Sequence, residues 1–99
     1  LNRVFTEAER AYLQGRGRGA GESAAAMFAA KEAVAKALGT GFAQGIMPEQ
    51  IEVTHTGSGQ PGARLTGAAQ ARLEQMGGGR ILLSLSHEGD TAIAFALIQ

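Results

Sequence analysis

Apolar positions recurring at spacings of three and four dominate residues 22 to 38, where Met27, Ala30, Val34, Ala37 and Leu38 fall on one face. The pattern predicts a helix over that stretch, rich in alanine and leucine and closed by Gly39 in the left-handed conformation. A second stripe, Phe28, Glu32 and Lys36, runs at i, i+4, i+8 and sets a carboxylate and an ammonium one turn apart. Lys31 borders the apolar face. Beyond Pro48 the period changes to two. Ile51-Glu52-Val53-Thr54-His55-Thr56 predicts a half-buried strand with Ile51, Val53 and His55 on one side. Residues 57 to 62 read as a turn and Ala63-Arg64-Leu65 as a short returning strand. Arg80 to Ser86 and Thr91 to Ile98 predict two more strands, joined by a hairpin at His87-Glu88-Gly89-Asp90. The last strand carries Ile93, Phe95 and Leu97 on one face and Ala92, Ala94 and Ala96 on the other. With no charge on either face, it is expected to be central in its sheet, with a helix close over the alanines.

Capping chemistry divides the rest. Thr6-Glu7-Ala8-Glu9 fits a capping box that starts a short helix reaching about Gln14. Residues 15 to 21 alternate glycine with arginine and predict a mobile loop, either a solvated linker or a phosphate-contacting segment through Arg16 and Arg18. Thr66 is placed to cap a third helix with Ala69, Leu73 and Met76 on one face, ended by Gly77-Gly78-Gly79. The whole predicts an α+β domain: a small, mainly antiparallel sheet packed on one long helix and shorter helices.

Composition narrows the function classes. Ninety-nine residues make one domain, and fifteen glycines thin its core, so help from oligomerisation is expected. A formal net charge of zero, with one tyrosine and no tryptophan for base stacking, argues against nucleic acid and against an anionic membrane surface. Without cysteine there is no disulfide framework and no thiolate nucleophile or metal ligand. No apolar run approaches a membrane span and no signal-peptide pattern is present, so the cytoplasm is the expected compartment. The start at Leu1 without a methionine suggests a processed or truncated beginning.

One constellation could carry chemistry: Lys31, Glu32 and Lys36 on an otherwise alanine-rich helix, with Ser84, Ser86 and His87 at a strand end. A carboxylate beside two ammonium groups suits a magnesium-bridged phosphate ester, since hard oxygen ligands hold the metal and lysines neutralise the remaining charge. A Glu–Lys pair at i, i+4 is equally an ordinary solvated helix contact. His55 reads as a core or edge residue and Asp90 as a turn residue.

Phe28-Ala29-Ala30-Lys31-Glu32-Ala33 with Lys36, followed by Gly39-Thr40-Gly41, closely resembles the signature of holo-acyl-carrier-protein synthases, the short trimeric phosphopantetheinyl transferases. Arg3-Val4-Phe5-Thr6 with Glu9, Gly59-Gln60-Pro61 and Ser84-Leu85-Ser86-His87 match in the family's order, so the resemblance covers nearly the whole chain and makes residues 1–99 a single transferase domain. It implies transfer of the phosphopantetheine of coenzyme A to a serine of apo acyl-carrier protein, with release of adenosine 3′,5′-bisphosphate, in fatty-acid biosynthesis. Glu32 resembles the family's helical magnesium ligand and a catalytic group; Lys36 resembles the lysine that stabilises the attacked phosphate. Lys31 is similar to the lysine preceding the glutamate, which meets phosphate, and its place beside the apolar face equally allows a structural role. Ser86 and His87 resemble the element holding the nucleotide end of coenzyme A, and Gly59 and Pro61 the turn packed on adenine. A homotrimer with each coenzyme A site at a subunit interface is also implied. The family pattern begins with a strand bearing a further metal-ligand aspartate and a helix whose basic residues dock the carrier, and neither lies in this sequence. Many members have arginine where this chain has Met27, which leaves Arg16 or Arg18 as the replacement for that phosphate contact. The alternative is a non-catalytic coenzyme A or nucleotide-binding or interaction subunit of the same fold.

Overall fold

The computed structural model describes residues 4–99; Leu1, Asn2 and Arg3 lie outside the described residues, and with them the first position of the Arg3-to-Thr6 match. Helix α1 (Glu7–Gln14) begins with the expected capping box: Glu9 N–H donates to Thr6 Oγ1 at 3.1 Å, and Thr6 N–H donates to Glu9 Oε1 at 2.8 Å. The arginine–glycine stretch, expected as a mobile loop, is instead a 3-10 turn at Gly17–Gly19 that runs directly into helix α2 (Ala20–Ala37). Gly17 supplies the positive φ of 58° that this tight passage needs. Gly39, at φ 82°, closes α2, its N–H donating to Lys36 O at 2.9 Å.

A second 3-10 turn, Pro48–Gln50, leads into strand β1 (Ile51–His55), which pairs antiparallel with β2 (Pro61–Leu65). Helix α3 (Gly67–Gln75) follows. Thr66 is its N-cap residue, yet its side chain makes no capping bond; Gln50 Oε1 accepts from Ala69 N–H at 3.1 Å and does the capping from a distance. Strands β3 (Ile81–Glu88) and β4 (Thr91–Ile98) form a second antiparallel ladder, so the fold is α+β with two small sheets among the described residues. The hairpin is tighter than expected: His87 and Glu88 are paired strand residues, and Gly89-Asp90 alone make the turn, with Gly89 at φ 61°.

Helix α2 packs across β4, β3 and β1. Ala92, Ala94 and Ala96 are half-buried on the side toward it, as the alternation predicted. The same strand is not central, however: β4 pairs with β3 alone, and Ile93, Phe95 and Leu97 face outward, Phe95 at 76% exposure. The larger core gathers Val34, Ala35, Leu38, Ile46, Ile51, Leu65, Ala69 and Leu73. A second, around Met27, Ala30 and Val53, is flanked by Phe5, Tyr12 and Leu13.

One polar cluster ties these layers together. Lys31 and Glu9 are 0% and 1% exposed, and Lys31 Nζ lies 2.8 and 2.9 Å from the two Glu9 oxygens. The ammonium also donates to Pro48 O at 2.9 Å and Ile51 O at 2.7 Å, while Glu9 Oε2 accepts from Val53 N–H at 2.6 Å. Desolvation lowers the Lys31 pKa, with Glu9 opposing that shift. Lys31 is therefore not a phosphate contact as expected from the resemblance; every donor it has is used inside the protein.

Removing one partner strands the other charge in the interior. Lys31→Ala is expected to cost about 3–5 kcal/mol in urea unfolding, a large share of the roughly 5–15 kcal/mol typical of a domain. Lys36→Ala, on the exposed side of the same helix, is expected to stay within about 0.5 kcal/mol of the parent.

Candidate functional site

A cavity of about 230 Å³ opens where α1, α2, the β1–β2 turn and the end of β3 converge. Gly59 lines it from the turn and Pro61 from the first position of β2, which begins two residues earlier than the alternation predicted; Leu85 and His87 line it from β3, and Ser23, Ala26 and Met27 from α2. Tyr12 and His55 form the remaining wall as a parallel stack, ring centroids 4.1 Å apart and planes within 3°. His55, read from sequence as a plain core or edge residue, thus belongs to the same hollow as the turn expected to meet adenine. Alternation put His55 on the side of Ile51 and Val53, but only the fold brings Tyr12 to it.

The turn is held in shape by its own polar groups. Gly59 adopts φ 88° and its N–H donates to Thr56 O at 2.8 Å. Thr56 N–H donates to Gln60 O at 3.0 Å, Gln60 N–H to Thr56 Oγ1 at 3.1 Å, and the Thr56 and Ser58 hydroxyls are 2.9 Å apart. At the cavity rim Arg16 Nε donates to Ser23 Oγ at 3.2 Å, and the guanidinium carbon sits 5.9 Å from the Tyr12 ring centroid. Among the described residues Arg18 makes no comparable contact.

Ser86 and His87 separate. Successive strand residues point to opposite faces, so His87 lines the cavity while Ser86, paired with Ile93, lies on the outward face. Glu32 and Lys36 are exposed and make no hydrogen bond or ion pair among the described residues; the solvated helix contact between them does not form. Glu32 is nine residues beyond Ser23, two and a half turns, which places it about 180° around α2 from the cavity wall. One chain therefore does not bring Glu32 and Lys36 together with Gly59, Pro61 and His87.

Among the described residues no three His, Asp or Glu side chains gather to hold a metal. Glu32 still fits magnesium, which is commonly bound by one or two carboxylates plus substrate phosphates and water, because its carboxylate is free and faces solvent.

Burial, then the positive charge of Arg16, lowers the His55 pKa from its ordinary 6.5, with Glu9 opposing. A histidine depressed on folding leaves the unfolded chain holding more protons below the ordinary value, so stability falls as pH drops through that window. The parent's unfolding midpoint is expected to decline more steeply between about pH 7.5 and 5.5 than that of His55→Phe, measured by thermal denaturation of both; equal slopes would rule out His55 as the source.

Residues 1–96 match the family model of the 4′-phosphopantetheinyl transferase superfamily. The holo-[acyl-carrier-protein] synthase of Desulforudis audaxviator is 52% identical over 97 residues, spanning 98% of this chain and 72% of that protein. That of Granulibacter bethesdensis is 48% identical over 104 residues, spanning 100% and 72%. Among solved structures, the holo-[acyl-carrier-protein] synthase of Neisseria meningitidis superposes with a TM-score of 0.84 at 36% identity, covering 98% of this chain and 77% of that one. The coenzyme A complex of the Chronobacterium ammoniagenes enzyme superposes at 0.80 with 30% identity, covering 98% and 80%. No helix among the described residues is long and apolar enough to cross a membrane.

Proposed function

Because this chain belongs to the 4′-phosphopantetheinyl transferase superfamily, we propose that it moves the phosphopantetheine of coenzyme A onto a serine of apo acyl-carrier protein. It does so as a cytoplasmic, magnesium-dependent holo-[acyl-carrier-protein] synthase, and residues 1–99 act as one transferase domain. The observation that carries this reading is the free, exposed Glu32–Lys36 stripe on a helix whose other lysine is fully occupied inside.

The serine Oγ attacks the phosphorus bearing the pantetheine, the bond to the bridging diphosphate oxygen breaks, and adenosine 3′,5′-bisphosphate leaves. A bound magnesium would neutralise charge on the diphosphate and orient it. Glu32 is the side chain that would hold the ion, and its carboxylate would also help take the serine proton. Lys36 offsets the charge that builds on the attacked phosphate. Such groups act by positioning and electrostatics, which supply most of the acceleration in phosphoryl transfer.

Gly59, Pro61 and His87 hold the nucleotide end in the cavity, with Ser86 beside them on the outward face. Their separation from Glu32 around α2 supports a site shared between two copies, one lending the Glu32 stripe and the next the cavity. The outward apolar face of Leu82, Ile93, Phe95 and Leu97 supports the same assembly, a homotrimer in which that face is covered. Arg16, aimed by Ser23 and Tyr12, fits the phosphate contact that Met27 cannot make.

Incubating the protein with apo carrier protein, coenzyme A and magnesium is expected to add one phosphopantetheine mass to the carrier. Glu32→Ala and Lys36→Ala are expected to lose about 100-fold or more in kcat while remaining folded. Mixing separately inactive Glu32→Ala and His87→Ala chains is expected to restore part of the activity, which a site within one chain would not allow. Coenzyme A binding without loading would leave a non-catalytic binding subunit. For Arg16→Ala, kcat/KM is expected to fall about 10- to 100-fold with coenzyme A and to stay level with dephospho-coenzyme A, as a contact to the 3′-phosphate requires; equal losses with both would rule out that contact.

A further inference from the structure

We infer that the buried Glu9–Lys31 pair is a positioning device that sets the rotation of α2, and with it the direction in which Glu32 faces. This rests on the reading of Glu32 as the metal-facing carboxylate.

Helix α2 meets the rest of the protein through side chains that grip poorly. Of its six buried residues, three are alanines (Ala26, Ala30 and Ala35), and one is the flexible Met27. The strand it packs across most broadly contributes Ala92, Ala94 and Ala96. Alanine against alanine brings backbones close but offers only shallow ridges and grooves, so this packing resists sliding and rotation weakly. Val34 and Lys31 are the remaining buried side chains of the helix. Lys31 alone among the six makes directional side-chain bonds, and it makes them to three different elements: Glu9 of α1, the Pro48 carbonyl of the 3-10 turn, and the Ile51 carbonyl of β1. Glu9 is itself fixed by Thr6 N–H at one oxygen and Val53 N–H at the other, at 2.8 and 2.6 Å. Polar groups buried in this way are known to specify register, often without adding stability over an apolar replacement.

Glu32 is the next residue along the chain, and Lys36 follows one turn later. A rotation of α2 by about 20° would move a side-chain tip lying about 5–6 Å from the helix axis by about 2 Å. A misplacement of about 1 Å can cost about 100-fold in rate. The pair therefore matters to transfer through geometry, apart from its effect on stability.

The test is the double variant Glu9→Leu/Lys31→Met, which replaces both charges with apolar groups of similar size, run beside Glu32→Ala in the full protein. The double variant removes the buried charges but leaves Val53 N–H and the Ile51 carbonyl without their side-chain partners, so it is expected to unfold below the parent temperature while remaining folded at the assay temperature. Its kcat is expected to fall about 10-fold or more, and the magnesium-dependent tightening of coenzyme A binding, read by calorimetry as Kd with and without the ion, is expected to disappear. A double variant that fails to fold, or that folds with parent kcat and parent magnesium response, overturns the inference. Glu32→Ala separates the two readings: if it transfers at the parent rate, the assignment of Glu32 is at fault. If it is inactive while the double variant matches the parent, the positioning claim alone fails.

Discussion

A lysine and a glutamate, twenty-two residues apart and both removed from water, hold this fold together. Ions of that size lose several kcal/mol of hydration on entering a protein interior, so they persist there only when each lone pair and proton finds a partner. Here each does. The ammonium reaches a carboxylate and two main-chain carbonyls, and the carboxylate in turn takes the free N–H groups of Thr6 and Val53. The same Thr6 that caps α1 also donates its hydroxyl to Glu52 at 2.7 Å, so the helix start is joined to β1 twice. The rest of the core is apolar, so among the described residues its contacts are non-directional and this cluster supplies the directional ones.

Helix α2 is consequently a two-sided element. Its inner side, from Ser23 to Ala35, builds the cavity wall and part of both cores; its outer side keeps a carboxylate and an ammonium in solvent with no partner among the described residues. Two neighbouring residues, Lys31 and Glu32, divide these duties, one turned wholly inward and the next wholly outward. The β3–β4 hairpin shows the same division, with alanines and His87 turned inward and Phe95 and Ser86 outward.

Much of the architecture was legible because it rests on local rules. The capping box at Thr6, the stop at Gly39, the alternation of β1 and the alanine face of β4 each follow from spacing and backbone chemistry within a few residues. What escaped the sequence was set at long range. For Lys31 the resemblance implied a phosphate contact and the apolar face a structural role; the arrival of Glu9, Pro48 and Ile51, which consume its donors, decides for the second. The Tyr12–His55 stack, the cap supplied by Gln50 to α3 and the edge position of β4 likewise depend on which segments meet. The split of Ser86 from His87 could have been read from period two alone, had the strand been carried past Ser86; Gly89 at positive φ moves the turn two residues further on.

The Thr56–Gln60 turn has a consequence for recognition. Four hydrogen bonds close it while the cavity beside it is open to solvent. A planar ligand reaching Pro61 would meet a surface already ordered, with no loop entropy left to lose on contact. Release of such a ligand would likewise require no rearrangement of this turn, so its residence there would be set by contact area instead of by motion of the chain.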